Sequence, residues 1–147
     1  MQIFSHSIEL EGHGRSAAWA ALQKVARHPE WVVAGCEKAA VSEISGPDGR
    51  RWLKRVKDFG GMTIEDSVCL EPEGHAEVHV AAGESWPRSW QEIDLEETEG
   101  GVRFTFAYSQ EQVQELDNPR YAELRNEAYR NKDRALVDLV AKLAKAA

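Results

Sequence analysis

Three ionisable residues fall where apolar ones are expected. Asp66 alternates with Ile64 and Val68 on the apolar side of a strand pattern. Arg125 and Lys132 fall within the apolar stripe of a long helix pattern, beside Leu124, Ala128, Ala135, Leu136, Leu139 and Leu143. Burying a lone carboxylate is costly, so Asp66 must be paired, wetted or neutral. A pairing with Arg125 or Lys132 on the facing helix would make a polar centre in an apolar hollow. Such a centre orients a ligand carbonyl or works as an acid/base pair. The same residues also fit plainer roles: a buried salt bridge, a β-bulge that turns Asp66 outward, or cations that snorkel from a helix edge.

Other chemistry has weaker signals. His75, Glu77 and His79 share one strand face, but Val78 and Val80 opposite them point inward, which puts the trio on the solvated side. No metal or cofactor is expected. There is no GxSxG elbow, HExxH motif or phosphate-cradling glycine loop ahead of a helix. Cys36 and Cys69 stand alone and read as buried thiols. Trp19 and Trp31 read as packing residues, Trp52 as a candidate cavity wall, Trp90 as an outer or edge residue, and Trp86 as a loop anchor or cavity gate.

The elements that position these residues follow from periodicity. The 147 residues fit one domain, 1–147. Ile3–Leu10 reads as a first strand, followed by a helix from Ser16 and a short helical turn from Pro29 to about Val33. A β-rich middle follows, in which Gly46-Pro47-Asp48-Gly49, Gly60-Gly61, Pro72–Gly74 and Gly100-Gly101 mark turns. Val102, Phe104, Phe106 and Tyr108 form the clearest apolar face. Asn118 suits an N-cap and Pro119 a first helical position. From there to Ala146 no further Pro or Gly interrupts a helix of about 28 residues, roughly 42 Å long. Consecutive hairpins imply an antiparallel sheet with one solvated face, and the long helix is the element large enough to cover the other. The expected fold is α+β: about seven antiparallel strands wrapped around a long C-terminal helix, with two short helices after the first strand.

Local sequence narrows this further. Trp19-Ala20-Ala21-Leu22, Arg27-His28-Pro29, Cys36-Glu37, Arg55-Val56-Lys57 ahead of Phe59-Gly60-Gly61, and Val68-Cys69-Leu70-Glu71-Pro72 resemble the AtaL-like branch of the START/SRPBCC helix-grip superfamily. Phe104-Thr105-Phe106 and Arg125-Asn126-Glu127-Ala128-Tyr129 continue the resemblance. That superfamily also holds the birch-pollen-allergen-like proteins and the polyketide cyclases. The resemblance implies an internal cavity for an apolar or amphipathic small molecule, in a group whose members are carriers, sensors, cyclases and chaperone regulators.

The expected function is therefore small-molecule binding between sheet and helix. Val56, Met62, Ile64, Phe104, Phe106, Leu124, Ala128 and Leu139 would form the wall, and Asp66, Tyr108, Arg125 and Lys132 the polar anchors. One alternative is a cyclase or dehydratase using Asp66 with Arg125; another is a protein-interaction module. The net charge of −7, from 18 basic and 25 acidic residues, argues against binding nucleic acid or anionic membranes. No apolar run approaches a membrane span, and Met1–Leu10 lacks a signal-peptide layout, so a cytoplasmic location is expected. A homodimer is left open.

Overall fold

The structure is a computed structural model, and it describes residues 1–83, 86–111 and 119–146. The elements run β1 (Gln2–Glu11), α1 (Arg15–Ala26), a single 3₁₀ turn (Pro29–Trp31), β2 (Lys38–Ser45), β3 (Arg51–Asp58), β4 (Thr63–Cys69), β5 (His75–Val80), β6 (Ser89–Thr98), β7 (Gly101–Gln110) and α2 (Pro119–Ala146). The seven strands form one antiparallel sheet in the order β1-β7-β6-β5-β4-β3-β2. Strands β2 to β7 pair antiparallel in chain order, and the last strand, β7, comes back to pair with β1. The second expected short helix is a lone 3₁₀ turn, with Pro29 buried and Trp31 stacked on His28. Asn118 lies outside the described residues.

Period-2 alternation sets the core. Val102, Phe104, Phe106 and Tyr108 all point inward from β7 and are buried. Ile8 and Leu10 on β1 and Ile93 and Leu95 on β6 flank them. Trp19, Leu22 and Val25 of α1 and Val137, Val140 and Ala144 of α2 pack onto the same cluster. The two helices pack against each other, and α2 also lies along β1.

The buried stripe of α2 differs from the expected one. It follows Tyr129, Asp133, Val137, Val140 and Ala144, at spacings of three and four. Leu124 is 57% exposed, and Ala128 and Ala135 also face outward. Counting leucines and alanines rotates the predicted face away from Asp133, because an acidic residue is scored as solvent-facing. Asp133 is nonetheless wholly buried.

Phe106, on β7 between β1 and β6, is wholly buried in the cluster that residues of both helices join. We predict that Phe106→Ala lowers unfolding free energy by about 3–5 kcal/mol, read from urea titration. A loss below about 1 kcal/mol would show that this face is not the packed core.

Candidate functional site

The helices cover the β1-β7-β6 side of the sheet closely. On the β3–β5 side the curled sheet stands away from α2 and leaves a cavity of about 180 Å³. Its apolar wall comes from Leu22, Val25 and Ala26 of α1, Val32 and Val33 after the 3₁₀ turn, Val68 of β4, Leu70, Ala76, Val78 and Val80 of β5, Ile93 of β6 and Leu136 of α2. Its polar wall is Arg55, Lys57, Asp66, Gln91, Lys132 and Asp133.

Asp66 faces inward as the alternation predicts, but its partners come from the neighbouring strand and not from the helix. In register, β3 places Arg55 directly opposite Asp66 and Lys57 opposite Ile64. The Arg55 guanidinium donates from Nε and Nη2 to the two oxygens of Asp66, each at 2.7 Å, in a bidentate fork. Its third nitrogen, Nη1, donates to the Ala26 carbonyl at the end of α1 at 3.0 Å. The Lys57 ammonium lies 2.9 Å from Asp66 Oδ2. The Asp66 side chain is 1% exposed and those of Arg55 and Lys57 are 11% and 10%. Burial by itself pushes the Asp66 carboxyl upward. The Arg55 hydrogen bonds, the Arg55 charge and Lys57 outweigh it and hold the group below its ordinary value of 3.8.

A second polar group enters from the helix. Asp133 accepts from the Tyr108 hydroxyl, which sits 2.7 Å from both carboxylate oxygens, and lies 2.6 Å from His6 Nε2. Gln91 Nε2 donates to the Tyr108 oxygen at 2.9 Å. Burial, then the Asp133 charge, pushes the Tyr108 hydroxyl above its usual range, so it remains a donor. Its ring stacks on Tyr129 at 3.9 Å. Lys132 immediately precedes Asp133 on the helix, with Nζ 4.8 Å and 5.4 Å from the centroids of these two rings. Burial leads in drawing Lys132 below the ordinary lysine range, with Lys57 and Arg55 adding to it and Asp133 opposing it, but 41% of the side chain is open to solvent, which weakens the effect of burial.

The expected site residues therefore divide. Asp66 and Lys132 line the cavity. Tyr108 reaches it through Asp133. Ile64 shares the inner face of β4 with Asp66 but is not part of the wall. Phe104 and Phe106 are core beneath the helices, and Leu139 packs against that core. Val56 points to the opposite face, because Leu53, Arg55 and Lys57 take the inner positions of β3. Met62 sits in the β3–β4 turn and is 49% exposed. Arg125 does not meet Asp66; its guanidinium contacts Asn126 and the Ile3 carbonyl. Arg55, Lys57, Gln91 and Asp133 complete the polar wall, with His6 behind Asp133, and none of them carries a local sequence signal of that role.

Outside the cavity, Trp52 lies on the outer face between Arg50 and His79. Trp86 donates to the Ala81 carbonyl and closes its own loop. On the same outer face, His75, Glu77 and Glu92 bring potential ligand atoms within 4.8 Å of one another. Two of the three already have partners, however: Arg50 pairs with Glu77, and His75 Nδ1 lies 2.6 Å from Asp94 Oδ1.

No family model and no curated relative matches the chain. Among solved structures it is similar to the di-domain ARO/CYC StfQ from the steffimycin biosynthetic pathway, with a TM-score of 0.69 and 9% identity over 97% of this chain and 50% of that one. It is also similar to a START superfamily protein from Mycobacterium smegmatis, with a TM-score of 0.64 and 15% identity over 95% and 97% of the two chains. Ara h 8.0201 gives a TM-score of 0.61 and 12% identity over 98% and 100%. The chain spans half the length of StfQ and nearly all of the other two. At these identities the likeness is one of fold, and the fold is the expected helix-grip arrangement. No helix among the described residues is long and apolar enough to cross a membrane.

Two charge predictions follow from the Asp66 cluster. Asp66→Asn leaves two buried cations without their carboxylate and should cost about 3–5 kcal/mol, whereas Lys57→Met leaves a one-to-one Arg55–Asp66 pair and should cost under about 1 kcal/mol. Equal costs for the two variants would contradict this assignment. The sign of the pH dependence is fixed by the lowered folded pKa. The stability Asp66 contributes is fully present above the ordinary 3.8 and is lost as pH falls through the lowered folded value. Urea midpoints of the wild type should therefore drop more steeply below pH 3.8 than those of Asp66→Asn.

Proposed function

We propose that this protein binds a small apolar or amphipathic molecule in the cavity between β3–β6, α1 and α2. The observation that carries this reading is the composition of the cavity wall. Aliphatic side chains form most of the wall, while a few polar groups from β3, β4, β6 and α2 also line it, the usual make-up of a ligand site. A cavity of about 180 Å³ is slightly larger than an engineered 150 Å³ apolar cavity that takes up benzene. A single ring with a short arm therefore fits. The similar folds of a START superfamily protein and of an ARO/CYC give the same reading support by analogy. The local motifs that resemble the START/SRPBCC superfamily agree with this reading.

A cyclase or dehydratase reading built on Asp66 with Arg125 loses its pair, since the two do not meet and Asp66 is saturated by Arg55 and Lys57. Binding needs only the cavity.

The test is a titration with a neutral aromatic probe, indole, followed through the methyl resonances of Val68, Val78 and Leu136. We predict saturable shifts at these methyls. Val78→Trp, which fills the space at a packing cost of about 1–3 kcal/mol, should abolish the shifts while the protein still unfolds cooperatively. Unchanged resonances in the wild type at saturating indole would overturn the reading.

A further inference from the structure

The charges around the cavity do not balance. Three cations, Arg55, Lys57 and Lys132, face two carboxylates, Asp66 and Asp133. Asp66 is fully used by its own side of the wall, with one oxygen on Arg55 Nε and the other shared by Arg55 Nη2 and Lys57. Asp133 is used on the other side, by Tyr108 and His6. Lys132 Nζ stands 4.0 Å from Asp133 Oδ1, beyond hydrogen-bond distance. Among the described residues it pairs with no other carboxylate. Instead it lies over the faces of Tyr108 and Tyr129, with 41% of its side chain open. A lysine held within a cavity wall, over aromatic rings and without a hydrogen-bonded counter-ion, has its ammonium donors free.

Resting on the binding reading above, we infer that the cavity takes a small organic acid, its ring or aliphatic body against the valines of β4 and β5 and its anionic oxygens between Lys57 and Lys132. One negative charge brings the wall from a surplus of one cation to neutrality. A cationic ligand would deepen the imbalance. A neutral carbonyl would accept a hydrogen bond but leave the surplus. Charge-assisted bonds are worth roughly twice neutral ones, so the acid form should be preferred. The cavity volume limits the acid to on the order of ten non-hydrogen atoms.

The experiment uses matched acid and amide pairs of nearly equal shape: benzoate with benzamide, and cinnamate with cinnamamide. Each is titrated at pH 7 against the wild type and Lys132→Met, with binding read by calorimetry. Lys132 is partly open, with its ammonium over two rings and 4.0 Å from Asp133, so this variant should fold, which thermal unfolding checks. The expected result is that at least one acid binds the wild type about tenfold or more tighter than its amide. In Lys132→Met that ratio should fall to about threefold or less, with amide affinity unchanged. If amides bind as tightly as acids, or if Lys132→Met keeps the preference, the acid inference is overturned while the cavity reading stands. If neither acids nor amides bind at about 10 mM, both are overturned.

Discussion

A charged carboxylate on the inner face of a strand cannot be left to dry core. Asp66 is such a carboxylate, and the structure answers it twice. It brings two cations from the neighbouring strand, and it leaves space in front of them. Two long cationic stems on adjacent inner positions of β3 cannot interdigitate with a covering helix as Leu or Val would. The helix therefore seats on the β1-β7-β6 side, where Phe104, Phe106 and Val102 give it an apolar bed. The sheet on the other side curls over the end of α1, held by the Arg55 bond to the Ala26 carbonyl. The cavity is thus a consequence of where the buried charges sit, and the same charges give it chemical character.

The arrangement divides labour between the two halves of the sheet. The β1-β7-β6 half supplies stability through dense aromatic and aliphatic packing. The β3–β5 half supplies recognition and carries the cost of burying ions, which packed apolar side chains would avoid. A buried ion cluster of this kind is weak evidence for stability and is better understood through what it presents to the cavity. Asp133 joins the two halves. It is wholly buried, takes the Tyr108 hydroxyl from the end of the core strand, and places Lys132 on the cavity wall one residue earlier.

Much of the fold was legible in the sequence because its signals are local. The glycine-marked hairpins, the Val102–Tyr108 alternation and the uninterrupted helix from Pro119 each need only a short window. The inward direction of Asp66 was legible for the same reason. The partners were not. On β3, Trp52 and Val56 offer an apolar face and Leu53 a competing one. Only pairing with β4 shows that Arg55 and Lys57 take the inner side. Asp133 carried a readable signal of its inward position, since it lies four residues from both Tyr129 and Val137. Its acidity masked that signal, and its partners Tyr108 and His6 are 25 and 127 residues away in sequence. Arg125 is the converse case: at home in a stripe drawn from leucines and alanines, it proves to lie beside the Ile3 carbonyl once the helix is seated.

The most direct test of this account is a high-resolution crystal structure of the protein purified without added ligand. The account predicts a cavity bounded by Val68, Val78 and Leu136, with Asp66 bound to Arg55 and Lys57 and with non-protein density, water or an acid, beside the Lys132 ammonium. A closed interior in which Leu136 packs directly on Val68 and Val78, and Lys132 extends into bulk solvent, would contradict it.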